Sequence, residues 1–193
     1  ESGAARAGGS RPAAYAMLKN ILFEVRDYAR APASFSDRGK DALLTRADAQ
    51  ALVPVVTGAV PLLVHVERAS DILVILDLKR EVPALKLVLV GATEGWTVAR
   101  QIAAAKVPVL ASALADLPAS FEQLAATQSN IGRLQAAGVM VGIGMINDDE
   151  TRQARLVKQY AGNLVALGKL PGAAGLDWGQ AFASISSKPA EAM

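Results

Sequence analysis

An α/β fold on a parallel sheet is what this sequence predicts, and three features carry the prediction. Apolar runs lie near 60–66, 86–91, 107–111 and 139–144, and a helical pattern follows each of them. Their roughly 20–30-residue spacing leaves room for a crossover helix between parallel neighbours. The runs are continuous rather than alternating, as expected of strands covered on both faces. Four strand–helix units make either half of a closed eight-stranded barrel or a small open doubly wound sheet. In both, chemistry gathers at the C-terminal ends of the strands. The chain starts at Glu1 without an initiator Met and stops at Met193 on a helical pattern, so the expectation is part of a larger enzyme.

The elements follow in order. Residues 1–11 are rich in Gly, Ala and Ser and read as a loop. Pro12 suits a first helical turn, and Ala14, Leu18, Ile21, Leu22, Val25 and Ala29 form an apolar stripe that Ala31-Pro32 ends. The stretch 33–46 is polar and turn-like. Thr45-Arg46-Ala47-Asp48 predicts a capping box for a short helix through Val56, limited by Pro54 and closed by Gly58. After the Val60–Val66 strand, Arg68 to Val82 is helical with Ile72, Ile75 and Leu76 on one face. Thr93 is expected to cap a helix running through Trp96, Ala99, Ile102 and Ala103. Ser120-Phe121-Glu122-Gln123 predicts a second capping box, ahead of Ile131, Leu134 and Ala137. Asp148, Asp149 and Glu150 sit at the mouth of a helix striped by Val157, Tyr160, Ala161, Leu164 and Leu167. Asp177 caps a last helix to Ser186.

Composition removes several function classes. The 193 residues are 52% hydrophobic, enough for a sizeable core, but only 5% aromatic, so burial relies on Ala, Leu, Val and Ile. The formal net charge is +2, with Lys and Arg scattered singly, which disfavours nucleic-acid binding. No cysteine is present, so disulfides, thiolate metal sites and Cys nucleophiles are excluded. No stretch approaches the ~20 uninterrupted apolar residues of a membrane span.

Four features bear on chemistry. His65 is the lone histidine and lies inside a strand, where alternation turns it away from Val64 and Val66. It reads as a metal ligand or general base, or as a buried imidazole hydrogen-bonded to backbone, and one His without Cys makes no zinc site alone. Asp148, Asp149 and Glu150 suggest Mg²⁺ or acid–base work, yet consecutive residues do not all converge on one ion, and acidic groups are favoured at any helix start. Gly142-Ile143-Gly144 lacks the rest of a phosphate-binding motif and reads as close packing. Gly91-Ala92-Thr93-Glu94-Gly95, between a strand and a helix, offers backbone N–H groups to an anion, with Glu94 opposing it.

Several segments together resemble a family. Pro61-Leu62-Leu63-Val64-His65-Val66-Glu67-Arg68-Ala69-Ser70-Asp71-Ile72 is similar to the fifth-strand segment of imidazolonepropionase-related amidohydrolases, where a strand-end His precedes Arg-Ala and Asp-Ile. Leu87 to Trp96 resembles their sixth strand and turn. Val107-Pro108-Val109-Leu110 with Leu117-Pro118-Ala119-Ser120-Phe121 resembles the seventh, and Ala136 to Gly144 the eighth. Ala161-Gly162-Asn163 and Lys188-Pro189-Ala190-Glu191-Ala192 match the helices that follow. The likeness covers 60–193 well and 1–59 loosely.

The resemblance implies the C-terminal half of a TIM-type (β/α)8 barrel preceded by helices, in one domain over 1–193. It implies a hydrolase of amide or cyclic-amide C–N bonds acting on a small molecule, with a divalent metal such as Zn²⁺ whose bound hydroxide attacks the carbonyl. His65 matches the fifth-strand metal ligand, and Glu67 and Arg68 at the same strand end are assigned to substrate. Two positions depart from the pattern. Gly91 stands where the sixth-strand His belongs, and Ile146 where the catalytic Asp belongs, leaving Asn147 and Asp148 as the catalytic candidates. A half-barrel with a degenerate site is expected to be inactive alone and to self-associate through its exposed surface, with neither nucleic acid nor membrane as partner. Two other readings stand beside the hydrolase: a non-catalytic small-molecule-binding or scaffold module on the same fold, and an open flavodoxin-like sheet holding an anion at Gly91–Thr93.

Overall fold

The structure, a computed structural model, describes residues 7–36, 39, 42–113, 115–144 and 154–193. The chain divides into two compact units. One comprises Glu1–Val60 with Val82–Lys86, the other Pro61–Glu81 with Leu87–Met193.

The first unit is built on two packed helices, α1 (Arg11–Arg30) and α2 (Arg46–Val56). Ser10 starts α1, its hydroxyl accepting the Ala13 N–H at 3.4 Å, with Pro12 in the first turn as its fixed φ favours. Leu22, Val25 and Tyr28 are the buried side of the stripe. The expected capping box opens α2: Thr45 Oγ1 accepts from the Asp48 N–H, and the Asp48 carboxylate accepts from the Thr45 N–H at 3.3 Å. The intervening segment is polar as predicted, and its polarity serves the fold. Glu24 accepts the Leu43 and Leu44 N–H groups at 2.9 and 3.1 Å, while Arg46 donates to the Pro32 and Phe35 carbonyls at 2.7 Å each. Gly58, at φ +76°, then turns the chain where an L side chain would meet the Ala84 carbonyl.

The second unit holds four parallel strands, β1 (Leu62–Val66), β2 (Leu87–Gly91), β3 (Val109–Ala111) and β4 (Val141–Ile143), ordered in space as in sequence. An open doubly wound sheet reverses its order at a switch point, whereas a barrel never does. The fold is α/β, with the topology of a partial TIM-type barrel. Helices α3 (Ala69–Glu81), α4 (Ala99–Ala104) and α5 (Asn130–Ala136) alternate with the strands, followed by α6 (Val157–Leu167), α7 (Trp178–Ser184) and α8 (Ser187–Ala192). Ile72, Ile75 and Leu76 are buried as expected, joined by Leu78. Among the described residues no helix is long and apolar enough to cross a membrane.

Register assigns the two faces of the sheet. Leu63 pairs with Val88, His65 with Val90, Val90 with Leu110, and Leu110 with Gly142, so these residues share one face. Val88, Val90 and Leu110 form a buried cluster there with Ala192 of α8 against it. Gly142 fits closely on this face: a Cβ would lie 3.0 Å from both Leu110 Cδ2 and Pro189 Cγ. The Gly142–Gly144 pair is therefore a packing feature, as its sequence suggested.

Four expectations are corrected. β1 is not buried on both faces; Leu63 and His65 are exposed, because β2 is its only partner among the described strands and β1 is an edge. Thr93 caps no helix. It is buried, its turn leads into a 3₁₀ segment (Gly95–Val98), and α4 starts only at Ala99. Ser120–Gln123 is a turn, with the Gln123 N–H on the Ser120 carbonyl and the Glu122 N–H on its hydroxyl; α5 begins at Asn130. The last helix is two, α7 ending at Ser184 and α8 starting at Ser187; Asp177 does cap α7, through a full capping box with Gln180.

Candidate functional site

The C-terminal ends of β1 and β2 are joined by two carboxylates that exchange partners. Past the end of β1, Glu67 reaches over to the β2 turn and accepts the Thr93 N–H at 2.9 Å. Past the end of β2, Glu94 reaches back and accepts the N–H of Ala69, the first residue of α3, at 3.0 Å. That N–H is one of the unsatisfied donors of a helix start, and a carboxylate there also complements the helix dipole. The other oxygen of Glu94 accepts the Ala125 N–H at 3.0 Å, tying in the loop after β3. Backbone bonds complete the brace: the Ala92 N–H donates to the Val66 carbonyl at 2.8 Å, and the Glu94 N–H to the Glu67 carbonyl at 3.0 Å.

His65 stands at the exposed side of this brace. Its Nε2 lies 2.8 Å from Glu67 Oε1, with the imidazole side chain 56% exposed and the Glu67 side chain 15% exposed. A carboxylate oxygen facing a ring nitrogen acts as the acceptor, so in this pair Nε2 is the donor. His65 is thus neither buried nor bonded to backbone, which displaces one of its two sequence readings.

The Glu67 carboxylate lies over Gly91, in space that a side chain at residue 91 would contest. Gly91 sits at φ +83°, and a Cβ there would lie 2.8 Å from Glu67 Cδ and 2.9 Å from Oε2. Behind the turn, the buried Asn130 side chain donates to the Ala92 carbonyl and accepts the Trp96 N–H, both at 3.0 Å. The Trp96 indole donates to the Ala125 carbonyl at 2.8 Å, and the Arg133 guanidinium lies 4.2 Å from the indole ring centre.

This accounting removes the anion cradle at Gly91–Thr93. The N–H groups of Ala92, Thr93, Glu94, Gly95 and Trp96 donate to Val66, Glu67, Glu67, Ala92 and Asn130 in turn. The turn does bind a carboxylate, but it is the chain's own.

The predicted site residues separate cleanly. His65 and Glu67 are brought together. Arg68 follows in the chain, and its carbonyl accepts the Ile72 N–H at 2.9 Å, a helix-start contact. Asn147 and Asp148, with Asp149 and Glu150, lie outside the described residues. Glu94 and Asn130 went unrecognised from sequence as builders of the site. A carboxylate beside Trp96 in an otherwise apolar stretch was the one hint for Glu94.

The donor set does not fit the metal that the resemblance implies. His65 meets part of the need, since a metal-bound histidine commonly gives its other N–H to a carboxylate, as here. The rest is not found among the described residues. Among the described residues no three His, Cys, Asp or Glu side chains are grouped to hold an ion. Gly91 supplies no donor, and the carboxylate above it is held by His65 and Thr93. Zinc sites need three or four protein donors.

A half-barrel topology with its polar groups at the strand ends is the class these features define. No family model matches the chain, and no curated protein matches it in sequence. Among solved structures it is similar to an amidohydrolase from Thermotoga maritima MSB8, with a TM-score of 0.75 and 20% identity over 94% of this chain and 45% of that one. The fold is amidohydrolase-like, and the chain spans less than half the length of that neighbour.

Proposed function

We propose that the chain is the later half-barrel of an imidazolonepropionase-related amidohydrolase lineage, whose ancestral activity is hydrolysis of amide or cyclic-amide C–N bonds, and that this polypeptide by itself is inert. The observation that supports the parentage is the juxtaposition of a strand-end histidine with a sequential parallel strand order in an amidohydrolase-like fold. The lack of activity follows from chemistry. Hydrolysis of an amide needs an activated water and a group that stabilises the carbonyl oxyanion. At the turn after β2 the backbone N–H groups of Ala92 to Trp96, which would be oxyanion-hole candidates, are already engaged. A small-molecule substrate would meet Glu67 and Arg68 at this end, as the sequence assigned them.

A second reading, a non-catalytic ligand-binding or scaffold module, is favoured by one observation: Gly91 and Glu67 fill the sixth-strand ligand position with a structural contact. The two readings part on one experiment. Cyclic amides, N-acyl amino acids and dipeptides are incubated with the chain, and hydrolysis is followed by mass spectrometry, with His65→Ala as control. No turnover is expected. Turnover abolished by His65→Ala would show the chain to be a working hydrolase and refute the proposed inertness. Saturable binding of one of these compounds without turnover would select the module.

A further inference from the structure

We propose that Glu67 has taken the place of the missing sixth-strand ligand, turning the strand end from a metal centre into a closed His65–Glu67 dyad that takes up no divalent metal. The inference rests on the amidohydrolase-derived reading above, since only there is residue 91 a ligand position.

Three observations carry it. The first is room. At Gly91 any side chain would run into the Glu67 carboxylate, with Cδ 2.8 Å from the position of a Cβ. The second is anchoring. Glu67 is fixed at both oxygens, by the His65 Nε2–H at 2.8 Å and the Thr93 N–H at 2.9 Å, in a side chain that is mostly buried. Swinging it towards an ion would break both bonds and leave the buried Thr93 N–H without a partner. The third is backbone. Gly91 has φ +83°, a conformation L residues rarely adopt, so reinstating histidine demands a new turn as well as eviction of Glu67.

The three features depend on one another, which distinguishes replacement from simple loss. A lost ligand leaves a hole; here the hole is filled and hydrogen-bonded. The dyad presents one nitrogen lone pair, on Nδ1 of a half-exposed ring, and a lone imidazole is a weak metal site.

His65 is the only histidine, so its ring signals need no assignment. The test is a long-range ¹H–¹⁵N correlation spectrum of the labelled 193-residue chain, recorded well above the ordinary imidazole pKa of about 6.5 so that the ring is neutral. The Nε2–H tautomer is expected to dominate and to stay unchanged with an equimolar amount of Zn²⁺ at micromolar concentration. Elemental analysis after zinc loading and dialysis is expected to find far less than one metal per chain. Retention of stoichiometric zinc, or a saturating zinc-induced shift that His65→Ala removes, would overturn the proposal.

Glu67→Ala, which leaves the backbone unstrained, is expected to remove the Nε2–H hydrogen bond and move the resonances of Nε2 and its proton; resonances unmoved by the substitution would equally overturn it. Gly91→Ala should do the same by displacing the carboxylate. The outcomes are separable from the functional reading. Zinc uptake through His65 sinks the dyad and leaves amidohydrolase parentage standing, whereas metal-free amide turnover sinks the proposed inertness and leaves the dyad standing.

Discussion

Glu94 shows how much one side chain can organise. Its carboxylate is buried and accepts two backbone N–H groups, from Ala69 and Ala125, that are 25 and 31 residues away in sequence. Hydrogen bonds to a charged partner are each worth about 1.5–3 kcal/mol net, and stranding their buried donors adds a desolvation penalty. Glu94→Ala is therefore expected to lower unfolding free energy by about 2–4 kcal/mol, read as a shifted urea midpoint at unchanged slope. Asn130 makes a similar pair of bonds, to Ala92 and Trp96, in a fully buried setting. Asn130→Ala should cost about 2–3 kcal/mol by the same measurement, because two backbone groups lose their partners. An effect under half a kcal/mol in either variant would mean that water replaces the lost bonds and that the brace is not rigid. Neither role was legible in the sequence, since nothing local distinguishes a carboxylate that reaches 31 residues away from one that faces water.

Elements were legible where their signals are local. The capping box at Thr45–Asp48 and the cap at Asp177 are signals contained within four residues, and both formed. Ser120–Gln123 has the same pattern but forms only a turn: Phe121 and Leu124, the apolar residues at helical spacing, stay exposed instead of packing, and the Ala125 N–H is taken by Glu94. Thr93 misled for a different reason: the chain after it winds into the 3₁₀ segment Gly95–Val98, so no α-helix starts at that position. Removing a functioning cap should cost about 1 kcal/mol. Thr45→Ala is expected to produce that loss, with amide exchange accelerated chiefly in α2 and the segment bonded to Glu24 and Arg46. Protection lost uniformly across β2 and β3 instead would show that the helical lead-in and the sheet unfold as one cooperative unit.

For the whole molecule, the open question is what covers the edge of the sheet. β1 pairs only with β2 among the described strands, and Leu63 beside His65 leaves apolar surface in water. An unpaired, partly apolar strand edge is a template for association. Self-association of the chain through this edge is our expectation. Sedimentation equilibrium should give a concentration-dependent dimer that Leu63→Lys shifts to monomer; a monomer at all concentrations would remove this interface from the proposal. The opposite edge is treated differently, since α7 and α8 pack on β4, with Pro189 lying close over Gly142.

The sequence by itself determined the alternation of parallel strands and helices, the starts of α1, α2, α3 and α7, and the placing of a single histidine at a strand end. Each of these depends on periodicity or on residues a few positions apart. Tertiary structure alone decided what that histidine meets. Glu67 closes over Gly91, Thr93 is taken 26 residues from its partner, and the turn that looked ready for an anion already holds one. The physical reason is that buried polar groups must be paired. Which carboxylate pairs with which N–H is fixed by how neighbouring strands bring distant turns together, and no local pattern in the chain encodes that choice.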